Sequence, residues 1–337
     1  MSTEAVEDPV AYFLQDLQYH GRSERTRTAY ERVLRRFERF VAARDARPAT
    51  AGQRDCLAFV HELRGEYAPS TVATYATYVH RFYDYMIQTE TFEGNPMALV
   101  MAEMDESIDT DPSRREVSVA DMQSFVAGIT HPLERALVVT LLKTGMRVGE
   151  CVNLDLRDLA LDAEMREQYG VAPRPQLDTR PNSLYVDSEV ARGAVVNGEE
   201  REASNKRKRA TVVPVDRELR GELNRWLAIR PDSASPALFL DTGDRWGHRL
   251  TTEQVRTVVR RHAEDHGWHR EGGGASENVT PHYFRHFFTT HLRDRTGDRG
   301  VVKYLRGDVA TDIIDTYTHN WGDRVREVYE ANVYSLL

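Results

Sequence analysis

Apolar and polar positions follow a helical period through the first hundred residues. Between Tyr30 and Val41 the apolar side chains recur three and four positions apart, which predicts one buried helix face. The same spacing runs from Val72 to Met86, after Ser70, a residue type favoured at helix N-termini. With two shorter periodic stretches, these patterns predict a small helical bundle over residues 1–100.

The pattern changes in the next stretch of the chain. Residues 101–112 read MAEMDESIDTDP, hold five acids and no base, and lack an apolar stripe, which predicts a linker. Ser118 and Asp121 have the spacing of a capping box that opens a second domain over residues 113–337. Val- and Thr-rich stretches at 183–186 and 211–215 predict two strands within a mainly helical domain.

The remaining elements of the second domain follow from the same rules. Residues 162–205 are long and mixed in character, which predicts an elaborated loop or hairpin. Helices are predicted at 132–144, 217–229, 252–266, 281–293, 301–305, 311–317 and 323–333. The predicted fold class is therefore mainly α with a small β-sheet in the second domain.

Composition narrows the class of protein. A chain of 337 residues suits two domains, and no apolar run approaches the ~20 residues that cross a bilayer. The polar, acidic N-terminal residues predict no signal peptide. Cys56 and Cys151 are far apart and form no CxxC, which predicts neither a disulfide scaffold nor a thiolate zinc site. We expect a cytoplasmic protein with no membrane partner and no metal.

The charge is negative overall but unevenly composed. Acids outnumber Lys and Arg by 53 to 45, and the net charge is −8. Only four of the basic residues are lysines, so arginine dominates. High acid content with little lysine is expected of a protein from a salt-rich cytoplasm or from a GC-rich genome. Under the first interpretation, a salt-adapted archaeal lineage, the net charge serves solubility. Where the basic residues cluster then matters more for the partner than the total does.

Two basic clusters are candidates for contact with nucleic acid. Nine arginines and four acids lie between Arg22 and Arg47, which favours either a solvated helix face or a surface that follows phosphates. Lys206 and Lys208 hold half of the lysines, and a lysine can release a proton where arginine cannot. A surface hairpin tip with ordinary charges explains that second cluster equally well. The candidate DNA contacts are Arg22, Arg25, Arg27, Arg32, Arg35, Arg36, Arg207 and Arg209.

Three separated segments carry candidate chemistry. They read TGMRVGE at 144–150, TPHYFRH at 280–286 and DTYTH at 315–319. In the second, Thr280 caps a helix, and His282 and Arg285 are neighbours three positions apart, off its buried stripe. A helix N-terminus also favours an anion. The segment therefore predicts a phosphate site with a proton donor, although H-x-x-R alone is common.

Taken in order, these motifs resemble the tyrosine recombinases, the phage-integrase and Xer-type family. The set comprises R-x-x-E after T-G, a lysine-bearing hairpin that ends in V-P, P-H-x-x-R-H and a C-terminal Y-T-H. The resemblance covers nearly the whole chain. It implies a two-domain DNA clamp: a SAM-like core-binding domain at 1–100, and a catalytic domain at 113–337 beyond the linker.

The resemblance also implies the chemistry. Tyr317 would attack a DNA phosphate to form a 3′-phosphotyrosyl bond, while Arg147 and Arg285 hold the non-bridging oxygens. His282 would hydrogen-bond the phosphate and help remove the tyrosine proton. Lys206 would protonate the leaving 5′-oxygen, with Lys208 as the alternative. Because the phosphotyrosyl bond conserves the energy of the phosphodiester, the implied cofactor is none.

The resemblance assigns a supporting role to Glu150, which would orient His282 or a neighbouring base. Asp308 departs from the pattern, because the family usually has His or Trp nine positions before the tyrosine. An ionised carboxylate beside a phosphate is repulsive. Asp308 would therefore be neutral, turn towards Arg306, or mark a weakened enzyme.

The predicted function is a site-specific recombinase or integrase that cuts and rejoins double-stranded DNA. Strand exchange needs four active sites, which implies a homotetramer on DNA and a monomer or dimer when unbound, in association with the nucleoid. Two alternatives remain open at this point: a nicking-closing enzyme like a type IB topoisomerase, and a catalytically silent DNA-binding member of the fold. The first would need no second DNA site, and the second would form no covalent adduct.

Overall fold

The computed structural model describes residues 7–108, 113–161, 169–308 and 321–337. Contacts divide the chain into two compact units, Met1–Pro112 and Ser113–Leu337. Among the described residues, no helix is both long enough and apolar enough to cross a membrane.

Helices are the only regular elements in the described part of the first unit. The periodic apolar residues of its helices form one buried core, in which aromatic rings meet edge to face, as Phe13 does with Tyr30 and Phe37 with Phe59. Helix α4 starts near Ser70 as expected, but Ser70 lies inside the helix, because Ala68 is the N-cap residue and Pro69 occupies the first turn. The helices are α1 (Pro9–Tyr19), α2 (Glu24–Ala42), α3 (Gln53–Glu66), α4 (Pro69–Gln88) and α5 (Met97–Glu103).

Helix α5 corrects the predicted start of the linker. Residues 101–103 form its last turn instead of a connecting segment. The helix forms because Met97 and Val100 are buried against the core of the first unit. Beyond it, Glu106 is ion-paired with Arg64 of α3 at 2.5 Å. The acidic composition of residues 101–112 predicted a linker, because the buried face of this helix consists of only Met97 and Val100.

The second unit is mainly helical and carries a small antiparallel sheet in the order β1-β2-β5, beside a two-stranded β3–β4 hairpin. Its helices are α6 (Val119–Ala127), α7 (Pro132–Thr144), α8 (Val148–Val152), α9 (Arg217–Ile229), α10 (Thr252–Asp265), α11 (Pro281–Thr296), α12 (Arg299–Arg306) and α13 (Trp321–Asn332). Its strands are β1 (Leu159–Ala160), β2 (Ser183–Val186), β3 (Val195–Val196), β4 (Glu199–Glu200) and β5 (Thr211–Pro214).

Helix α7 lies at the centre of this unit. Its residues from Ala136 to Thr144 are buried, and α9 and α11 pack against it. The buried ammonium of Lys143 lies 2.6 Å from Asp216 and 2.7 Å from Glu218, and it donates to the carbonyl of Tyr334 at 2.5 Å. The C-terminal segment is thereby fastened to the helix whose end leads into the candidate site.

Candidate active site

A tight turn at Gly145 joins α7 to the site. Gly145 has φ +60°, and a Cβ there would lie 2.2 Å from Phe288 of α11, so both the conformation and the close packing require glycine. Its carbonyl accepts a hydrogen bond from Nη1 of Arg285 at 2.7 Å. The turn therefore places Arg147, which precedes α8, next to Arg285.

Arg285 is a buried cation that faces the site. It lies in the second turn of α11, which begins after the N-cap residue Thr280, as the sequence predicts. Its Nη2 donates to the carbonyl of Arg306 at 3.1 Å. Burial, followed by the charges of Arg147 and Arg306, lowers the pKa of Arg285 to about 9, so the guanidinium stays charged at neutral pH.

Glu150 is a buried carboxylate that organises two arginines. Its Oε2 accepts from the backbone N–H of Arg147 at 2.9 Å and from Nη2 of Arg207 at 3.2 Å. Its Oε1 accepts from Nη1 of Arg147 at 3.0 Å. Both carboxylate oxygens are therefore engaged by arginines, and the expectation that Glu150 orients His282 or a neighbouring base stays a prediction.

The lysine-bearing segment follows the β3–β4 hairpin as an irregular stretch instead of lying at the hairpin tip. Arg207 is 4% exposed and donates to Glu150 and to the carbonyl of Leu305, so its assignment to DNA contact is wrong. Lys206 and Lys208, on either side of it, are exposed. An extended segment alternates its side chains in this way, which directs both lysines outwards.

A second glycine locks this segment in place. Gly307 ends α12 with φ +67°, and a Cβ there would lie 2.2 Å from Cγ of Arg207. The carbonyl of Gly307 accepts from the backbone N–H of Lys208 at 3.0 Å. The C-terminus of α12 and the lysine segment are therefore held together, and the next residue, Asp308, is brought to the arginines.

The carboxylate of Asp308 lies among three guanidiniums. Its Oδ1 is 3.1 Å from Nη2 of Arg285 and 3.4 Å from Nη2 of Arg147. Its Oδ2 is 3.0 Å from Nε of Arg306. Of the three sequence-based possibilities, the side chain takes the one in which it turns towards Arg306, and it contacts the two candidate phosphate-binding arginines at the same time.

His282 lies in the first turn of α11 and is exposed. Partial desolvation of the ring, followed by the charge of Arg114 and those of Arg285 and Arg147, lowers the pKa of His282. The imidazole is therefore neutral at physiological pH and able to accept a proton.

Sequence reasoning missed Arg114. The stretch that contains it lies against α11, because the carbonyl of Arg115 accepts from the Tyr283 hydroxyl at 2.7 Å and Arg115 Nε donates to the carbonyl of Glu277 at 3.1 Å. Within the described parts of the chain, Nε of Arg114 is buried and has no hydrogen-bond partner. The signal in the sequence that could have identified Arg114 is the basic pair Arg114–Arg115, which follows the acidic residues 101–112.

We expect Arg114→Ala to raise the pKa of His282 towards 6.5, because a nearby positive charge that disfavours the imidazolium is removed. Histidine NMR titration measures the shift directly. His291 of the same helix is the internal control: burial and Arg295 lower its pKa, and Arg114 is not among the causes. An unmoved His282 titration, or an equal shift at both histidines, would contradict the prediction.

The predicted DNA-contacting arginines of the first unit divide into two groups. Arg35 is ion-paired with Asp8 at 2.6 Å, and Arg36 with Glu62 and Glu66 at 2.9 and 2.8 Å. Both therefore fasten α2 to its neighbours, and their contact with phosphate stays a prediction. The others keep accessible positions: Arg22, Arg25 and Arg32 are exposed, and Arg27 is partly so and donates to Gln18.

The remaining predicted site residues are Arg209 and Tyr317. Arg209, in the second unit, stacks on Tyr304 with its guanidinium carbon 4.5 Å from the ring centroid. Tyr317 and the predicted helix at 311–317 lie outside the described residues. In the described part of the chain, His, Cys, Asp and Glu form no group that could hold a metal ion.

Comparison with known proteins identifies the class. The phage integrase family model matches residues 175–323, and the model of the phage integrase N-terminal SAM-like domain matches residues 10–90. With the arginine, histidine and carboxylate geometry above, these matches show that the chain belongs to the phage integrase family. It is by class a site-specific tyrosine recombinase.

Two relatives illustrate the similarity, and both are named tyrosine recombinases. The tyrosine recombinase XerD of Shewanella oneidensis is 24% identical over 325 residues, covering 95% of this chain and 94% of the relative. The tyrosine recombinase XerC of Halalkalibacterium halodurans is 27% identical over 318 residues, covering 92% and 91%. Both alignments include the two units.

Solved structures share the fold. The Tn1549 transposon integrase in complex with a circular intermediate DNA matches with a TM-score of 0.65 at 18% identity, covering 96% of this chain and 99% of that one. A lambda integrase tetramer bound to a Holliday junction matches with a TM-score of 0.64 at 14% identity, covering 90% and 77%. At these identities the likeness establishes the fold alone.

Proposed function

We propose that the protein cuts and rejoins double-stranded DNA at specific sites through a 3′-phosphotyrosyl bond to Tyr317. The observation that carries the proposal is the convergence of Arg147, Arg285 and neutral His282 at the N-terminus of α11, with Glu150 buried behind them. Two arginine forks beside a helix N-terminus are suited to a phosphodiester and to the extra charge of its transition state.

The proposed reaction divides the work among these groups. Arg147 and Arg285 bind the non-bridging oxygens, and His282 hydrogen-bonds the phosphate and helps remove the proton of Tyr317. The tyrosyl oxygen forms a bond to phosphorus as the bond to the 5′-oxygen breaks. Lys206 supplies the proton that the leaving 5′-oxygen takes up. Reversal of the step, with a 5′-hydroxyl of another strand as the nucleophile, rejoins the DNA.

A covalent-trapping assay tests the proposal. Nicked duplexes from the neighbourhood of the gene are incubated with the protein in graded KCl, and the products are separated on a denaturing gel. We expect a protein–DNA adduct that is absent with Tyr317→Phe, because phenylalanine has no nucleophilic oxygen. Binding of the same fragments without an adduct would instead support a catalytically silent DNA-binding protein.

The two exposed lysines provide a matched pair for the proton donor. We expect Lys206→Arg to lower adduct formation by roughly 10²–10⁴-fold, the usual contribution of general acid catalysis, and Lys208→Arg to have little effect. Arginine keeps the charge but does not release a proton. A duplex with sulfur in place of the bridging 5′-oxygen should restore the rate of Lys206→Arg, because a thiolate leaves without a proton. The opposite ranking would assign the role to Lys208.

The proposed partner is duplex DNA, and the proposed working assembly is a homotetramer on it. The exposed arginines Arg22, Arg25 and Arg32 in the first unit, and Arg209 in the second, are the proposed phosphate contacts. The tetramer of lambda integrase on a Holliday junction supports that stoichiometry by fold. A requirement for two DNA sites in product formation distinguishes recombination from nicking and closing.

A further inference from the structure

The proposed function leaves the role of Asp308 open, and the geometry of this carboxylate points to one. We propose that Asp308 is an internal anion that occupies the phosphate site of the DNA-free protein and is displaced by the DNA phosphate. The inference rests on the proposed function for the identity of the displacing group. As a result, a weakly binding anion does not displace Asp308, whereas a correctly positioned phosphodiester does.

The contacts of Asp308 are those expected of a substitute for phosphate. One oxygen, Oδ1, lies within 3.1 Å of Arg285 and 3.4 Å of Arg147, so a single oxygen joins the two forks proposed to bind the non-bridging oxygens. The second oxygen, Oδ2, is ion-paired with Nε of Arg306 at 3.0 Å, without the geometry of a hydrogen bond. Arginine forks bind carboxylates and phosphates through the same geometry.

The local charge explains why the unliganded site needs an anion. Arg147, Arg207, Arg285 and Arg306 lie together, and Glu150 is engaged by the first two. Asp308 is the carboxylate that meets Arg285 and Arg306. A phosphate at the same arginines would repel Asp308 at close range, so both anions cannot occupy the site together.

The side chain of Asp308 has a route out of the site. Its backbone is fixed, because its N–H donates to the carbonyl of Lys303 at 3.0 Å in the cap of α12. Its side chain is 30% exposed. Rotation about the side-chain bonds therefore moves the carboxylate into solvent without movement of α12, whereas Arg285 is held by the carbonyls of Gly145 and Arg306 and stays in place.

A purely structural ion pair predicts the opposite response to mutation. If Asp308 only stabilises the arginines in their working positions, Asp308→Asn lowers both DNA affinity and adduct formation. If Asp308 competes with phosphate, the same change raises both. We expect an increase of roughly tenfold in affinity, measured in the Tyr317→Phe background, and in the rate of adduct formation with Tyr317 present.

Asp294→Asn is the matched control. It removes the same charge from an exposed position on α11, nine residues beyond Arg285 and thus about 13 Å along the helix. We expect its affinity and rate to equal those of the wild type. An equal gain in both variants would show that net charge alone is responsible, and an unchanged or weaker Asp308→Asn would overturn the proposal.

A second measurement does not depend on catalysis. Thermal melting is compared in potassium chloride and potassium phosphate of equal ionic strength, with orthophosphate as the probe. We expect orthophosphate to stabilise Asp308→Asn more than the wild type or Asp294→Asn, because a ligand that binds only the folded state raises its stability. If Asp308→Asn is poorly folded in chloride, orthophosphate must restore its native circular dichroism, and failure to do so overturns the proposal.

The two measurements separate this inference from the proposed function. If none of the proteins forms an adduct but orthophosphate selectively stabilises Asp308→Asn, the proposed chemistry is wrong and the internal anion is still supported. An adduct with the wild type and no gain in Asp308→Asn would keep the chemistry and remove the internal anion.

Discussion

Arg147→Ala is expected to lower the rate of covalent adduct formation by roughly 10²–10³-fold, the range found when one preorganised donor to a transition-state charge is removed. Arg147 is positioned for this role on two sides, by Glu150 at 3.0 Å and by the turn after Gly145. The phosphorane carries more charge on its non-bridging oxygens than the ground state does, so the loss falls on the rate more than on binding.

The comparison is made in single-turnover trapping, with DNA affinity measured separately in the Tyr317→Phe background. Arg147→Lys is the informative partner variant, because lysine keeps the charge and loses the planar fork. We expect its rate to lie between those of the wild type and Arg147→Ala. A rate of Arg147→Ala equal to that of the wild type would show that the phosphate is bound elsewhere.

Elements whose hydrophobic spacing and end signals lie within the element itself were predictable from the sequence. Helix α7 and helix α9 have the predicted bounds, and the predicted strand at 183–186 is β2. Local signals also set the boundaries correctly at the Ser118–Asp121 capping box, which forms as predicted. Each of these features depends on residues that are close in sequence, so the spacing alone specifies it.

Elements that owe their form to distant partners were not predictable. The last turn of helix α5, residues 101–103, was predicted as the start of an acidic linker, and only the packing of Met97 in the core of the first unit explains why the helix extends this far. Arg207 looks like a surface charge until Glu150, 57 positions away, pairs with it. Sequence spacing carries no information about such pairs, and both errors arose from interpreting charge without its partners.

The residues of the candidate site also fall into those that the sequence located and those that it did not. The motifs located Arg147, His282 and Arg285 because Arg147 and His282 lie at the start of a helix and Arg285 lies one turn after His282. They did not show that Asp308 would bridge two of these arginines, since that contact joins residues 161 positions apart. Arg114 was missed because it reaches His282 from an extended stretch without a motif.

The pair formed by Glu150 and Arg207 leads to the largest expected effect on stability. Both side chains are fully buried, and burial lowers the pKa of Arg207, which reflects the cost of its charge in this position. We expect Glu150→Gln to reduce the stability of the second unit by about 3–5 kcal/mol, because it leaves a buried cation without its counter-ion. The corresponding fall in melting temperature is roughly 6–20 °C.

Tryptophan fluorescence is the appropriate measurement, because all four tryptophans, Trp226, Trp246, Trp268 and Trp321, belong to the second unit. The control is the double variant Glu150→Gln/Arg207→Met, in which no buried charge is left without a partner. We expect it to recover most of the loss, since an apolar replacement of a buried ion pair is often close to neutral. If the double variant were as unstable as Glu150→Gln, the lost stability would come from the contact of Glu150 with Arg147, and the phosphate site itself would depend on that contact for its fold.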